Sequence, residues 1–280
     1  MRITVWGCRG SLPIPGRNTI RYGGNTTCLE IRLNDNTLII LDAGSGIRRL
    51  GRELLAEQDL TEMYLFLTHA HWDHLMGFPF FRPAYSSKYR IHVRGGPRAK
   101  RSLEKFLKHQ MQPPYFPVPF DVMKAKFDFA AGDPKKRSIG SAEIVPIRLS
   151  HPNGGYGFKI IEAGRAFVFL SDNELDFEHE GGMTRDEYID FSKGASLLLH
   201  DAQYTDEEYR SKKGWGHTKL SSAIELSIKA EVERFGLLHH DPERTDDHMD
   251  ALVALSQERI TQANRKIECF GVKEGMVFVV

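Results

Sequence analysis

The stretch Leu65-Phe66-Leu67-Thr68-His69-Ala70-His71-Trp72-Asp73-His74 runs from an apolar segment straight into a cluster of metal-ligand side chains. A short apolar run bounded by a polar loop reads as a buried strand, here Met63 to Leu67. With the chain still extended at the strand's end, His69 and His71 point the same way, because side chains two apart share a face. The turn that follows then aims Asp73 and His74 elsewhere. Imidazoles and carboxylates crowded this closely would repel or lose solvation without a partner. A pair of divalent cations satisfies all four.

Composition frames this signal. The 280 residues are 41% hydrophobic with a formal net charge of +1, which supports a sizeable core and excludes a disordered chain. The longest apolar runs, Ala166 to Leu170 and Met276 to Val280, fall far short of the roughly 18 residues of a membrane span. The opening MRITVWGCRG carries no apolar stretch of signal-peptide length. Cys8, Cys28 and Cys269 are odd in number and far apart, so a disulfide framework is not expected and a reducing cytoplasm fits best. Twelve histidines against three cysteines point to nitrogen and oxygen metal chemistry. Balanced charge argues against a large sequence-blind nucleic-acid surface.

Outward from the metal loop, short β-rich runs alternate with helical patterns. Strands are expected at Arg2 to Trp6, Thr27 to Leu33, Thr37 to Leu41, 142–149, 156–162, 165–170, Ala195 to Leu199 and Phe235 to Leu238. Helices are expected at Ile47 to Glu57, 97–110, 219–234 and 243–262. No repeat or Gly/Ser linker divides the chain, so residues 1–280 read as one domain of sheets flanked by helices in layers. The proline-crowded segment Gln112 to Phe120 (QPPYFPVPF) has two readings: an ordered flap near a substrate site or subunit contact, or a rigid connection packing its aromatics on the core.

The H-x-H-x-D-H spacing at His69 to His74 resembles that of the metallo-β-lactamase-fold superfamily, and further motifs follow in the family's order. Leu149-Ser150-His151, Phe169-Leu170-Ser171-Asp172 and Leu237-Leu238-His239-His240-Asp241-Pro242 each end a strand. The resemblance implies a four-layer αββα sandwich of α/β (α+β) class. It assigns His69, His71 and His151 to one metal, Asp73, His74 and His239 to the other, and Asp172 to both. His239 is preferred over His240 because it directly follows its strand. The ligand set contains no cysteine, a departure from lactamases that use one at the second metal. Zinc, manganese or iron suits such a set.

Two ions about 3.5–4 Å apart can activate water for hydrolysis, and their excess positive charge over the two aspartates suits an anionic phosphodiester. Trp215-Gly216-His217-Thr218 precedes a helix and resembles the His-Ser/Thr motif of the ribonuclease Z and cyclic-phosphodiesterase branch. There the histidine contacts the scissile phosphate and assists the leaving oxygen. Leu199-His200-Asp201-Ala202 resembles that branch's H-E-A-T motif, with Asp201 in place of glutamate and expected to orient His217. Asp73 is implied to orient the attacking water. Glyoxalase II shares the dinuclear motif but has no counterpart to this late segment. The segments GCRGSLPIPG, YGGNTTCLEI, LDAGSGIRRLG, HDAQY and HHDPERTDD extend the likeness to bacterial members of the branch over nearly the whole chain. Asp42 is not a ligand in this reading; it braces the metal loop or caps the helix at Ile47. The glycines around 44–46 are turn residues.

The expected activity is hydrolysis of a small cyclic phosphodiester such as a cyclic nucleotide. The alternatives are a ribonuclease Z-like tRNA 3′-processing endonuclease and a non-catalytic metal-binding sensor. Against the first, no long glycine-rich arm is present; against the second, no ligand is missing. The basic stretch Lys88 to Arg101 serves either as an RNA guide or as a solvated face. Relatives often pair, so a homodimer is implied.

Overall fold

The computed structural model describes residues 1–96, 103–130 and 133–280. Two seven-stranded sheets face each other. The first contains β1 (Arg2–Gly7), β2 (Cys28–Arg32), β3 (Leu38–Leu41), β4 (Glu62–Leu67), β5 (Arg90–Gly95), β6 (Lys126–Phe129) and the late strand β14 (Val277–Val279), in the order β14-β1-β2-β3-β4-β5-β6. The second contains β7 (Arg137–Ile139), β8 (Ala142–Arg148), β9 (Tyr156–Glu162), β10 (Arg165–Leu170), β11 (Leu197–Asp201), β12 (Arg234–Leu238) and β13 (Glu268–Gly271), in the order β13-β12-β11-β10-β9-β8-β7. β3 to β6 run parallel, as do β10 to β13; the remaining pairings are antiparallel.

Alternation along the strands builds the layers. Ile3, Val5, Leu29, Ile31, Ile39 and Leu41 meet Ile160, Phe167, Phe169, Leu197 and Leu199 in the shared core between the sheets. Phe66 and Phe158 touch edge to face across it at 5.1 Å, a geometry worth about 0.5–1.5 kcal/mol beyond simple burial. The outer face of the first sheet packs on α1 (Ile47–Leu54), α2 (Trp72–Leu75) and α3 (Leu103–Gln110). The outer face of the second packs on α4 (Arg185–Ser192), α6 (Leu220–Lys229) and α7 (Asp246–Gln262), with α5 (Asp206–Lys212) following β11. This is the expected αββα order. It also explains why Leu38–Leu41 and Leu197–Leu199 are unbroken apolar runs: a strand covered on both faces has no solvent side to mark with polar residues.

Several element boundaries differ from the sequence expectation. The helix expected over 219–234 ends at Lys229, because Glu231 adopts a left-handed φ of 53° before β12 begins. The helix expected from 243 starts at Asp246, where the Thr245 side chain caps the backbone N–H of His248, as an N-cap threonine does. α1 stops at Leu54 rather than Glu57. Of the helix expected over 97–110, residues 97–102 lie outside the described residues and Leu103–Gln110 is helical. Strands β5, β6, β7, β13 and β14 and helices α4 and α5 were not expected. Both missed helices carry a capping box, Thr184 with Glu187 and Thr205 with Glu208, a signal readable in the sequence.

Candidate metal centre

The proposed metal ligands and Asp201 follow or end strands and lie at the same end of the sandwich. β8 runs parallel to β10 because both are antiparallel to β9. Loops after the carboxyl ends of parallel strands are where open α/β sheets place their sites. His69 to His74 follow β4, His151 follows β8, Asp172 follows β10, Asp201 ends β11 and His239 follows β12. Two groups form there, His69 with His71, His151 and Asp172, and Asp73 with His74, Asp172 and His239. Asp172 belongs to both. Its Oδ2 lies 3.5 Å from His69 Nε2 and 3.8 Å from His151 Nε2. Its Oδ1 lies 3.1 Å from His74 Nε2 and 3.2 Å from His239 Nε2. One carboxylate thus presents an oxygen to each group.

The outer nitrogens are committed elsewhere, which fixes the rings. His74 Nδ1 meets Asp42 Oδ2 at 2.8 Å, His151 Nδ1 the Gly216 carbonyl at 2.8 Å, and His239 Nδ1 the Gln203 amide oxygen at 2.8 Å. His69 Nδ1 pairs with the Thr68 hydroxyl at 3.0 Å. Ligand histidines are characteristically braced in this way. His69 Nε2, by contrast, is buried and has no hydrogen-bond partner among the described residues. A buried ring nitrogen aimed at a cluster of imidazoles and carboxylates fits a cation. The donor set contains no sulfur, since Cys8, Cys28 and Cys269 are free and buried elsewhere.

Electrostatics within the cluster follow its chemistry. Burial holds the His69 and His71 imidazoles below their ordinary range and takes His151 down to about 3. Burial acts the same way on His74, but the Asp172, Asp73 and Asp42 carboxylates outweigh it and raise its affinity for a proton. Asp172 and Asp73 are pushed up by burial, yet the facing histidines bring both well below the usual carboxylate range.

His217 adjoins the second group. Its ring stacks on His239 with centroids 4.8 Å apart, and its Nδ1 lies 2.9 Å from Asp201 Oδ2. Burial opposes its protonation, but the Asp201 charge and hydrogen bond, with Asp172 and Asp73, raise it to about 9. Asp201, His217 and His239 also form a third close group; the direct bond to Asp201 occupies one His217 nitrogen. His240 points away: its Nε2 meets the Val272 carbonyl at 2.7 Å and its ring lies edge-on to Tyr22.

Two braces, Ser11 and Glu174, emerge only in three dimensions, and of the two roles open to Asp42 the structure takes the brace. Asp42, Ser11 and His239 are non-glycine residues with φ of 61°, 64° and 59°, a sparsely populated region often concentrated at functional sites. Asp42 accepts from the Thr68 backbone at 2.7 Å and from its hydroxyl, so it braces the metal loop; the N-cap of α1 is Gly46 instead. The Ser11 N–H donates to Asp73 Oδ2 at 2.8 Å. Buried Glu174 accepts from the backbone N–H groups of Gly214 and Gly216 at 2.7 Å each, ordering the loop that carries His217. The run Ser171 to Glu174, polar yet directly after an apolar strand, was the signal for Glu174. Gly44 admits the loop: a Cβ there would lie 2.5 Å from Thr26 Oγ1 and 2.6 Å from the Asp73 carbonyl.

A four-layer sandwich with paired His/Asp groups at one end of its strands defines a metal-dependent hydrolase of the metallo-β-lactamase fold. A family model described as "Beta-lactamase superfamily domain" matches residues 37–240, and the chain belongs to that family. Ribonuclease Z of Pyrococcus horikoshii is 25% identical over 289 residues, covering 86% of this chain and 87% of the relative. Ribonuclease Z of Haloferax volcanii is 24% identical, covering 85% and 84%. Among solved structures, the metallo-β-lactamase fold protein YhfI from Bacillus subtilis superposes with a TM-score of 0.69 at 20% identity, covering 99% of both chains. A diphosphatase from the PhnP family gives 0.69 at 15%, covering 100% and 97%. The short form of human tRNase Z gives 0.61 at 19%, covering 100% and 99%. No helix among the described residues is long and apolar enough to cross a membrane.

Proposed function

We propose that the chain, as one domain over residues 1–280, is a dinuclear phosphodiesterase acting on a small anionic phosphodiester, with cyclic nucleotides among its candidate substrates. His69, His71 and His151 would hold one ion, Asp73, His74 and His239 the other, and Asp172 both. The observation that carries this reading is the division of the Asp172 oxygens between two buried groups, with His217 held against the second. Divalent ions held there, zinc or manganese by ligand type or alternatively iron, would supply Lewis acidity and water activated near neutral pH.

The protein's own groups do the positioning. Asp73, fixed by the Ser11 N–H, orients the attacking water. Asp201 holds His217 through Nδ1 and leaves Nε2 to donate to the leaving oxygen, a general-acid role. The ribonuclease Z relatives favour a second reading, cleavage of precursor tRNA.

Metal-loaded protein is expected to turn over bis(p-nitrophenyl) phosphate and, in a substrate panel with cyclic mononucleotides and precursor tRNA, at least one natural phosphodiester. Hydrolysis of thioesters or lactams without phosphodiester turnover would overturn the reading. Bracing gives a second expectation. Asp42→Asn weakens the support of His74 and Thr68, so metal affinity should fall about 10–100-fold. Competition titration with a chromogenic chelator measures it, and unchanged affinity would remove Asp42 from this role.

A further inference from the structure

Beside the metal loop lies an apolar groove of about 520 Å³ whose walls include Ala70, Trp72, Pro79, Phe80, Tyr115 and Phe116. Ala70 and Trp72 belong to the loop that carries His69, His71 and Asp73, so the groove runs alongside that loop. Tyr115 and Phe116 come from the proline-crowded segment, which packs Phe116 and Phe120 on the outer core of the first sheet and leaves Tyr115 exposed on the groove wall. Trp72, Phe80 and Tyr115 are 71%, 53% and 72% exposed. Large rings left in water around one concavity mark a binding surface. The Gln110 side-chain amide nitrogen also belongs to this groove, buried and without a hydrogen-bond partner among the described residues.

A second groove of about 690 Å³ adjoins the first at Phe80, which lines both, and carries Arg48, Arg52 and Arg82. None of these guanidiniums has a carboxylate partner among the described residues. Arg21, Arg32, Arg94, Arg165, Arg185 and Arg244 all do. Of the basic stretch at Lys88 to Arg101, residues 97–101 lie outside the described residues; before them, Arg94 pairs with Asp128 and Lys88 donates to the Glu57 backbone carbonyl. Three guanidiniums without a carboxylate partner among the described residues therefore line one groove.

We propose that the two grooves form one subsite for single-stranded oligonucleotide. A base stacks among Trp72, Phe80 and Tyr115 with its edge toward Gln110, and the phosphates beyond it lie along Arg48, Arg52 and Arg82. Stacking rings beside a cationic groove is how single strands are held without sequence preference. The proposal deepens the phosphodiesterase reading and rests on it: the substrate class becomes a short chain of linked nucleotides whose reacting phosphate reaches the metal centre. A second copy of the chain fits the surface less well. An isologous contact would bring the same unpaired arginines toward one another, which like charges oppose.

The test uses the full metal-loaded chain and a fluorescein-labelled, phosphorothioate-linked tetraadenylate read by fluorescence anisotropy. The tetranucleotide should bind at least about tenfold more tightly than AMP, and inorganic phosphate should compete poorly. Phe80→Ala and Tyr115→Ala should each weaken binding roughly tenfold, the scale of a single base–ring stack. Arg52→Glu with Arg82→Glu should weaken it further and flatten the salt dependence by about 0.7 in log–log slope for each phosphate no longer neutralised. Bis(p-nitrophenyl) phosphate turnover and melting temperature should stay at wild-type levels in all of them. Variants that bind the tetranucleotide like wild type overturn the subsite. So does a change in oligomeric state by light scattering with oligonucleotide affinity intact, which would make this face a contact between copies. Absence of bis(p-nitrophenyl) phosphate turnover in the wild type would defeat the phosphodiesterase reading alone, leaving the anisotropy titration to decide the subsite.

Discussion

If the site holds two ions as proposed, Asp172→Asn should leave one or fewer per chain and reduce phosphodiester turnover by on the order of 10⁴-fold. The substitution keeps the volume of the side chain, so packing around β10 is preserved, but it removes the shared negative charge and one of two accepting oxygens. Both groups are weakened at once, because Oδ2 faces His69 and His151 while Oδ1 faces His74 and His239. Lewis-acid stabilisation is worth several kcal/mol, and each 1.36 kcal/mol is tenfold in rate, which sets the size of the loss. Metal content by inductively coupled plasma mass spectrometry, beside turnover of bis(p-nitrophenyl) phosphate, checks both halves. A variant that retains two ions and wild-type rates would show that Asp172 bridges nothing.

The ease with which this site was read from sequence has a physical origin, and so do the parts that stayed hidden. A strand followed at once by ligands leaves a contiguous signal, and His69 to His74 sit on one loop after β4. His151, Asp172 and His239 are far apart in the chain, and what pointed to them was the family's motif order, each lying just past a strand. Asp42 carries the same strand-end mark, directly after Leu38–Leu41, and reads as a brace or a cap; Ser11 and Gln203 carry none. Their contribution depends on left-handed backbone or on a loop meeting another loop, and neither is encoded in local periodicity. The distinction between His239 and His240 shows how fine the margin is: neighbours in sequence, one faces the cluster and the other the Val272 carbonyl. The missed strands β5 and β6 alternate apolar with polar or charged residues over only four to six positions, too short a pattern to mark a strand by itself. The surface covered by Tyr115 and Phe116 emerged only once the chain was folded, because nothing in a run of prolines says where it will pack.

The leaving group separates the role of His217 from that of the ions. If His217 donates a proton to the departing oxygen, the need for it depends on how stable that oxygen is as an anion. p-Nitrophenolate leaves readily without a proton, whereas a ribose alkoxide does not. His217→Ala is therefore expected to lower turnover of a nucleotide phosphodiester by about 10²–10⁴-fold, the usual range for a positioned acid, while costing bis(p-nitrophenyl) phosphate far less. Metal content should remain that of the wild type, because His217 Nδ1 is already engaged by Asp201 at 2.9 Å and the six other side chains around Asp172 are untouched. Asp201→Asn should move the same way by a smaller factor, about 10–100-fold, since it releases the ring without removing it. Equal losses on both substrates would assign His217 to binding or packing against His239 instead of proton transfer. Loss of an ion with the histidine would make it a ligand, through the third close group it forms with Asp201 and His239.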